Sequence, residues 1–221
     1  MQNLPRRLIA EALGTCLLVT AVVGSGIMAA SLTDDMAIAL LCNTVATAAA
    51  LIVLISVFGP VSGAHFNPAV SVVMLASREM PLPVFIGYCL AQIAGGLGGT
   101  WLAHAMFDLP VLQVSTHIRF GMSQWLAEFV AAFGLLVTIL SVRKSNPSAL
   151  PQSVGLYIAA AYWFTSSTSF ANPAVTIARA FTDTFSGIRP MDAPAFIVVQ
   201  TAGALAAMVF AGYLFKSDSG H

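Results

Sequence analysis

Long apolar stretches, separated by short polar segments, dominate this 221-residue chain. A helix needs about 20 apolar residues to cross a bilayer. Six stretches reach that length, at residues 8–31, 37–58, 83–106, 122–143, 150–169 and 193–215. Two further apolar stretches, 67–77 and 172–183, are too short to cross. We expect them to form half-helices, which are tolerated at membrane depth only when protein or a water-filled path surrounds them.

The composition makes the bilayer the expected solvent. Hydrophobic residues make up 58% of the chain and charged residues only 8%, whereas a soluble domain carries about 25% charged residues. Nine basic residues balance nine acidic ones, which gives no reason to expect a nucleic-acid partner. The three cysteines stand singly, and the four histidines show no ligand spacing. The sequence therefore predicts a lipid-embedded protein without a metal, a cofactor or an enzyme active site.

One triplet occurs twice, at Asn67-Pro68-Ala69 and at Asn172-Pro173-Ala174, which are 105 residues apart (172 − 67). Asparagine is a favoured N-cap, and proline suits the first helical position. Each triplet therefore predicts the start of a half-helix. Because a helix N-terminus carries roughly half a positive charge, two such ends near mid-membrane would disfavour cations and protons.

The two halves of the chain, approximately residues 1–110 and 111–221, resemble each other beyond the triplets. Glu11 and Glu128 open similar apolar segments, and Gln92 and Gln200 lie in similar glycine-containing ones. Three spans per half make the repeat inverted, and such repeats place a substrate path at their interface. We expect one channel domain over residues 1–221.

Lysine and arginine predict the orientation, because they are enriched in cytoplasmic loops. With the N-terminus inside, the inner side holds Arg6, Arg7, Arg78, Arg143, Lys144 and Lys216, and the outer side holds Arg119, Arg179 and Arg189. The excess predicts that both termini are cytoplasmic. The two half-helices then enter from opposite sides, and their N-termini meet near the midplane.

With these motifs the chain resembles the aquaporin, or major intrinsic protein, family. The segments that carry the resemblance are the run from Ser62 to Val70, the run from Ala10 to Thr15, the glycine-rich third and sixth spans, and the second triplet. The resemblance implies an all-α membrane protein with six transmembrane helices and two re-entrant half-helices. It also implies a homotetramer in the inner (plasma) membrane, with one pore per protomer for water or small uncharged solutes.

Family spacing places the outer selectivity filter at Thr47, Ala160, Ser169 and Val175. The last position departs from the family, in which an arginine normally follows the second triplet. All four side chains are small and uncharged, so we expect a wide filter. A wide filter would pass glycerol, urea and neutral metalloid hydroxides such as arsenous acid. A branch of the family associated with bacterial arsenic resistance shows this kind of substitution.

Other polar residues have roles that the sequence leaves partly open. Asn67 and Asn172 are expected to cap the half-helices and offer amide donors to the pore, although capping alone is the simpler reading. His65 either lines the cytoplasmic vestibule or braces its loop. Arg179 either reaches over the outer mouth or ties down the outer loop through Asp183, four residues on. Glu11 and Glu128, buried acids of a costly kind, resemble the family pair that braces the half-helix loops.

Two other protein classes fit part of the pattern. An ion-coupled secondary transporter can also use inverted repeats with broken helices, but it would normally carry coupling carboxylates at the midplane. A structural or gated membrane protein is the other alternative. Small filter residues argue against a plugged pore.

Overall fold

The structure, a computed structural model, describes residues 3–215, which leaves Lys216 outside the described residues. Within that range the chain folds as helices joined by loops, with no strand. The helices are α1 (Leu4–Leu32), α2 (Met36–Ser62), α3 (Pro68–Ala76), α4 (Leu82–Met106), α5 (Met122–Ser145), α6 (Leu150–Phe164), α7 (Pro173–Arg179) and α8 (Ala193–Leu214), with a 3₁₀ turn at Pro147–Ala149 before α6. This all-helical order agrees with the predicted fold class.

Five of the described helices are long and apolar enough to cross a membrane, namely α1, α2, α4, α5 and α8. The fifth predicted span, 150–169, is wrong in extent, because α6 ends at Phe164 after 15 residues. The physical reason lies in the hydroxyl-rich segment that follows. The Thr165 hydroxyl donates to the carbonyl of Ala161 at 2.7 Å, and such side chains compete with the helical backbone.

The two half-helices begin where the triplets predict, each with its asparagine as N-cap and its proline in the first turn. The second is much shorter than the expected 172–183, since it ends at Arg179. Its last carbonyl accepts the backbone N–H of Ile188 at 3.2 Å. The chain therefore leaves the helix to pair with the outer loop.

Close helix crossings hold each half together, α1 against α4 and α5 against α8. A Cβ atom at Gly95 would lie 2.1 Å from the carbonyl oxygen of Ala12, and one at Gly203 would lie 2.4 Å from that of Phe129. Only glycine fits at such distances. Small residues of this kind let membrane helices approach closely, where packing replaces the hydrophobic effect.

Candidate solute pathway

The two loops that lead into the half-helices have the same strained backbone. Ala64 and Phe66 in the first loop have φ of 49° and 48°, and Ser169 and Ala171 in the second both have φ of 49°. These positions correspond at the 105-residue offset of the triplets (169 − 64 and 171 − 66). Left-handed backbone is unfavourable for residues other than glycine and costs about 1–3 kcal/mol at each position, so surrounding contacts must hold both loops.

Glu11 provides those contacts for the first loop. Its carboxylate is fully buried and accepts the backbone N–H groups of His65 at 3.0 Å and Phe66 at 2.7 Å. The hydroxyl of Ser62 and the amide of Gln92 donate to it as well, at 2.6 and 2.8 Å. A charge buried in this way is stabilised by its hydrogen bonds, and the geometry is that of a brace.

Glu128 holds the second loop in the equivalent way. It is also fully buried and accepts the backbone N–H groups of Phe170 and Ala171, both at 2.8 Å. The amide of Gln200 donates to it at 2.6 Å. The inverted repeat therefore extends from the helices to individual hydrogen bonds.

The two triplet asparagines link the loops across the centre of the molecule. The side-chain oxygen of Asn67 caps α3 by accepting the N–H of Ala69 at 2.8 Å, and its amide donates to the carbonyl of Ala171 at 2.8 Å. Asn172 caps α7 at Ala174, at 3.0 Å, and donates to the carbonyl of Phe66 at 2.8 Å. This exchange places the two helix N-termini beside each other.

Both asparagines line a cavity of about 590 Å³. Its wall is mainly apolar, and polar groups interrupt it at few places. The polar residues that line it are Thr47, Ser56, His65, Asn67, Arg143, Ser148, Tyr162, Ser169, Asn172 and Arg179. The arrangement combines apolar contact with a small number of hydrogen-bonding points, which suits a small neutral molecule that carries hydroxyl or amide groups.

Comparisons with known proteins agree with this geometry. The family model described as "Major intrinsic protein" matches residues 1–169. The chain is 56% identical over 214 residues to aquaglyceroporin AqpS of Rhizobium meliloti (strain 1021), which covers 97% of this chain and 92% of that protein. The chain belongs to the major intrinsic protein family. Proteins of this family are channels and not enzymes, so this chain is a membrane channel.

Two more distant matches agree with this family and with its fold. Aquaporin NIP6-1 of Arabidopsis thaliana is 31% identical over 162 residues, which cover 72% of this chain and 51% of that one. The X-ray structure of the aquaglyceroporin from Plasmodium falciparum superposes with a TM-score of 0.73 over 98% of both chains, at 23% identity. This second likeness supports the aquaporin fold alone.

Three of the four predicted filter residues of this family member line the cavity. Thr47, Ser169 and Val175 are at its wall and are buried from bulk solvent. Ala160 is not: it lies on the exposed side of α6, and its prediction as a filter residue is wrong. The α6 residue at this height is Tyr162, whose hydroxyl donates to Thr47 at 3.3 Å. A bulky ring therefore lies at a site for which the sequence predicted only small side chains.

The position of His65 is compatible with both of its expected roles. The residue lines the cavity, and its Nδ1 lies 3.0 Å from the hydroxyl of Ser71. The ring also packs edge-on to Tyr88, with ring centroids 5.2 Å apart. Loop bracing and exposure to the pathway are therefore compatible at this position.

Arg179 does not pair with Asp183, so that part of the prediction is wrong. Its Nε donates to the carbonyl of Ser186. Asp183 instead accepts the backbone N–H and the hydroxyl of Thr116, at 2.8 and 2.9 Å, and these hydrogen bonds lower the pKa of the exposed Asp183 carboxyl. Arg179 nevertheless lines the cavity, so it contacts both the outer loop and the pathway.

Cysteine accessibility distinguishes the cavity-facing from the outward-facing residues of α6. Tyr162→Cys should lose most of its osmotic water flow on treatment with a membrane-impermeant methanethiosulfonate reagent, because the modified side chain would fill the pathway. Ala160→Cys is the matched control and should keep its flow. The native cysteines, Cys16 and Cys42 among them, do not line the cavity, so the unmodified protein should not respond. Block of Ala160→Cys with no effect on Tyr162→Cys would restore the original filter assignment.

Proposed function

We propose that this channel conducts water and small uncharged solutes, namely glycerol-like polyols, urea and neutral metalloid hydroxides such as arsenous acid. Flow is passive and follows the solute gradient. The name of the 56% identical relative, an aquaglyceroporin, supports solutes larger than water. The proposed setting is the inner (plasma) membrane, with a homotetramer that has one pathway per protomer.

The observation that carries the proposal is the pair of central amides. Each asparagine amide has two N–H donors, and the structure uses one of them, toward the opposite loop. Both asparagines also line the cavity, and we expect the second N–H of each to donate to the oxygen of a passing molecule. A water held by two donors turns its own hydrogens away from the centre, which interrupts proton transfer. The adjoining helix N-termini add an electrostatic barrier to cations.

The outer filter supports solutes beyond water. Val175 occupies the position where the family usually has an arginine, and Thr47 and Ser169 are also small. Replacing arginine with valine removes a planar charged group and its five N–H donors. The resulting opening suits a compact neutral molecule with several oxygens.

The proposed orientation, with both termini cytoplasmic, rests on the basic residues. On one side of the molecule, Arg143 and Glu79 form an ion pair with a nitrogen–oxygen distance of 2.7 Å. On the other side, a backbone hydrogen bond connects the loops that contain Arg119 and Arg189. The N–H of Arg189 donates to the carbonyl of His117 at 2.7 Å. The side with Arg143 carries the larger share of Lys and Arg, so we propose that it faces the cytoplasm.

Transport by proteoliposomes tests the function. Under osmotic steps of sucrose, glycerol or urea, followed by light scattering, we expect rapid water flow and then re-swelling with glycerol and urea but not with sucrose. Arsenous acid, which is neutral at pH 7, should enter without saturation and independently of a proton gradient. Arsenate, the charged counterpart, should stay outside.

Two results would contradict the proposal. Accumulation of solute against its gradient when a proton gradient is imposed would establish the transporter alternative. Folded protein that conducts none of these molecules would favour the structural or gated alternative. Two preparations provide the baseline. One is empty liposomes, and the other is liposomes that contain the Val175→Cys variant after a thiol reagent has blocked it.

A further inference from the structure

A second, smaller cavity lies where α1 begins. It has a volume of about 140 Å³, and its lining residues are Asn3, Arg6, Arg7, Pro60 and Val61. The first three lie at the start of α1, and the last two belong to the final turn of α2. Two arginines therefore line one pocket, to which the proposed solute pathway assigns no role.

Tyr88 holds Arg7 in a fixed orientation at this pocket. The Nε of Arg7 donates to the Tyr88 hydroxyl at 2.8 Å, and the guanidinium carbon lies 5.1 Å from the centroid of the tyrosine ring. The Tyr88 hydroxyl in turn donates to the carbonyl of Ser62, at 2.7 Å, where α2 ends. The bond to Tyr88 uses one of the five guanidinium N–H donors, so the other four are left for a ligand.

The two positive charges have no acidic partner within residues 3–215, because the ion pairs of that range join other residues. Arg6 is exposed and Arg7 is half-buried, so a ligand can reach both. The side chain of Asn3, the N-cap of α1, makes no capping hydrogen bond. The pocket therefore offers two charges and several N–H donors. This combination suits phosphate, which a guanidinium contacts through two parallel hydrogen bonds.

The pocket lies next to the part of α1 that is expected to face lipid. Ile9 and Leu13, one helical turn apart on the same side, are 64% and 45% exposed. Arginines at the end of a spanning helix extend their charges toward the headgroup layer. A phospholipid with its phosphate in the pocket would therefore have apolar protein surface beside its acyl chains.

We propose that this pocket binds the phosphate of an anionic phospholipid, in the leaflet that the proposed orientation makes cytoplasmic. Basic residues beside a membrane attract anionic lipids, and Arg6, Arg7 and Asn3 give the phosphate a defined position. The bound lipid supports the end of α2. Pro60 weakens this helix end because it has no N–H to donate, and it lines both the pocket and the solute pathway. Occupation of the pocket thus stabilises part of the pathway wall.

Lipid titration of the full-length protein in detergent tests the site, with the melting temperature followed by tryptophan fluorescence. Phosphatidylglycerol should raise the melting temperature, because a ligand that binds only the folded state stabilises it. Phosphatidylcholine should raise it much less, since its choline cation cancels the phosphate charge. Inorganic phosphate at the same concentration should leave it unchanged, because it has no acyl chains to hold it beside α1.

Arg6→Gln removes one charge from the pocket and leaves the contact between Arg7 and Tyr88 in place. We expect it to raise the half-saturating concentration of phosphatidylglycerol by about tenfold or more, as the loss of a hydrogen bond to a charged group implies. Lys144→Gln is the matched control. Lys144 is exposed in the last turn of α5 and does not line the pocket, so this variant should bind the lipid as the native protein does.

Four results would overturn the proposal. No response of the native protein to phosphatidylglycerol would exclude the site, and equal stabilisation by phosphatidylcholine would exclude a requirement for negative charge. Equal stabilisation by inorganic phosphate would identify a soluble ligand in place of a lipid. Equal weakening in Arg6→Gln and Lys144→Gln would indicate general attraction to a basic surface. None of these measurements involves transport, so failure of the proposed solute function would be a separate result.

Discussion

Replacing Glu128 with alanine is expected to abolish the folded channel. The change leaves three buried N–H groups without an acceptor, namely the backbone N–H groups of Phe170 and Ala171 and one of the two amide N–H groups of Gln200, whose other N–H still donates to the hydroxyl of Thr176. Each unsatisfied donor costs about 1–3 kcal/mol. The total is comparable with the whole stability of a typical domain, about 5–15 kcal/mol. Size-exclusion chromatography after detergent extraction should show aggregated or absent protein.

The left-handed backbone of the loop increases this cost. Ser169 and Ala171 both have φ of 49°, a conformation that persists only when its surroundings impose it. Without the carboxylate, the loop can relax and withdraw Asn172 from its bond with the carbonyl of Phe66. Glu11→Ala should have the same effect on the first loop, because its hydrogen bonds are equivalent.

Two variants serve as controls for Glu128→Ala. Glu128→Gln keeps one acceptor oxygen and should give partly folded protein with a lowered melting temperature. Glu79→Ala removes an exposed carboxylate that pairs with Arg143, and surface ion pairs contribute about 0–1 kcal/mol, so it should purify like the native protein. If Glu128→Ala instead purified as a stable, water-conducting channel, the bracing role would be wrong.

The long-range order of this fold is readable from the sequence because the bilayer imposes simple rules on it. Apolar stretches long enough to cross, together with two that are too short, predict helices and half-helices. The repeated Asn-Pro-Ala triplet predicts two helix N-termini. Glu11 and Glu128 stand out because a carboxylate within an apolar stretch needs hydrogen bonds. These features depend on local sequence and on the solvent.

The filter geometry was less predictable because it depends on where a helix ends. Family spacing predicts Ala160 from its distance to Asn172 along the chain, which requires the segment between them to have the same conformation as in the family. Here α6 stops at Phe164, and the segment that follows is not helical. Tyr162 takes the cavity-facing position instead. The hydroxyl-rich segment Thr165–Ser169 is the sequence signal that indicates an early helix end.

The partner of Arg179 was unpredictable for a different reason. The predicted pair with Asp183 requires α7 to continue for another turn beyond Arg179. In the structure Asp183 bonds to Thr116, 67 residues away along the chain, and Arg179 packs on Phe170. Contacts between two loops that are distant in sequence leave no periodic pattern, so only the folded structure reveals them.

Replacing Val175 with arginine is expected to convert this pathway into a narrower one that favours water. Val175 is buried at the cavity wall, in the first turn of α7. An arginine there would add a second guanidinium one helical turn before Arg179 and would narrow the opening beside Tyr162. Glycerol and urea flow should fall by about tenfold or more, equivalent to a barrier increase of about 1.4 kcal/mol, whereas water flow should fall much less. Stopped-flow light scattering measures both in the same preparation.

Val175→Leu separates the effect of bulk from the effect of charge. Leucine adds volume without a cation, so it should reduce glycerol flow moderately and leave ion exclusion as it is. Because a pore selects by its diameter and by the donors that line it, the arginine variant should discriminate more strongly between glycerol and water than the leucine variant does. Equal loss of water and glycerol in Val175→Arg, or no loss of either, would show that Val175 does not set the width of the pathway.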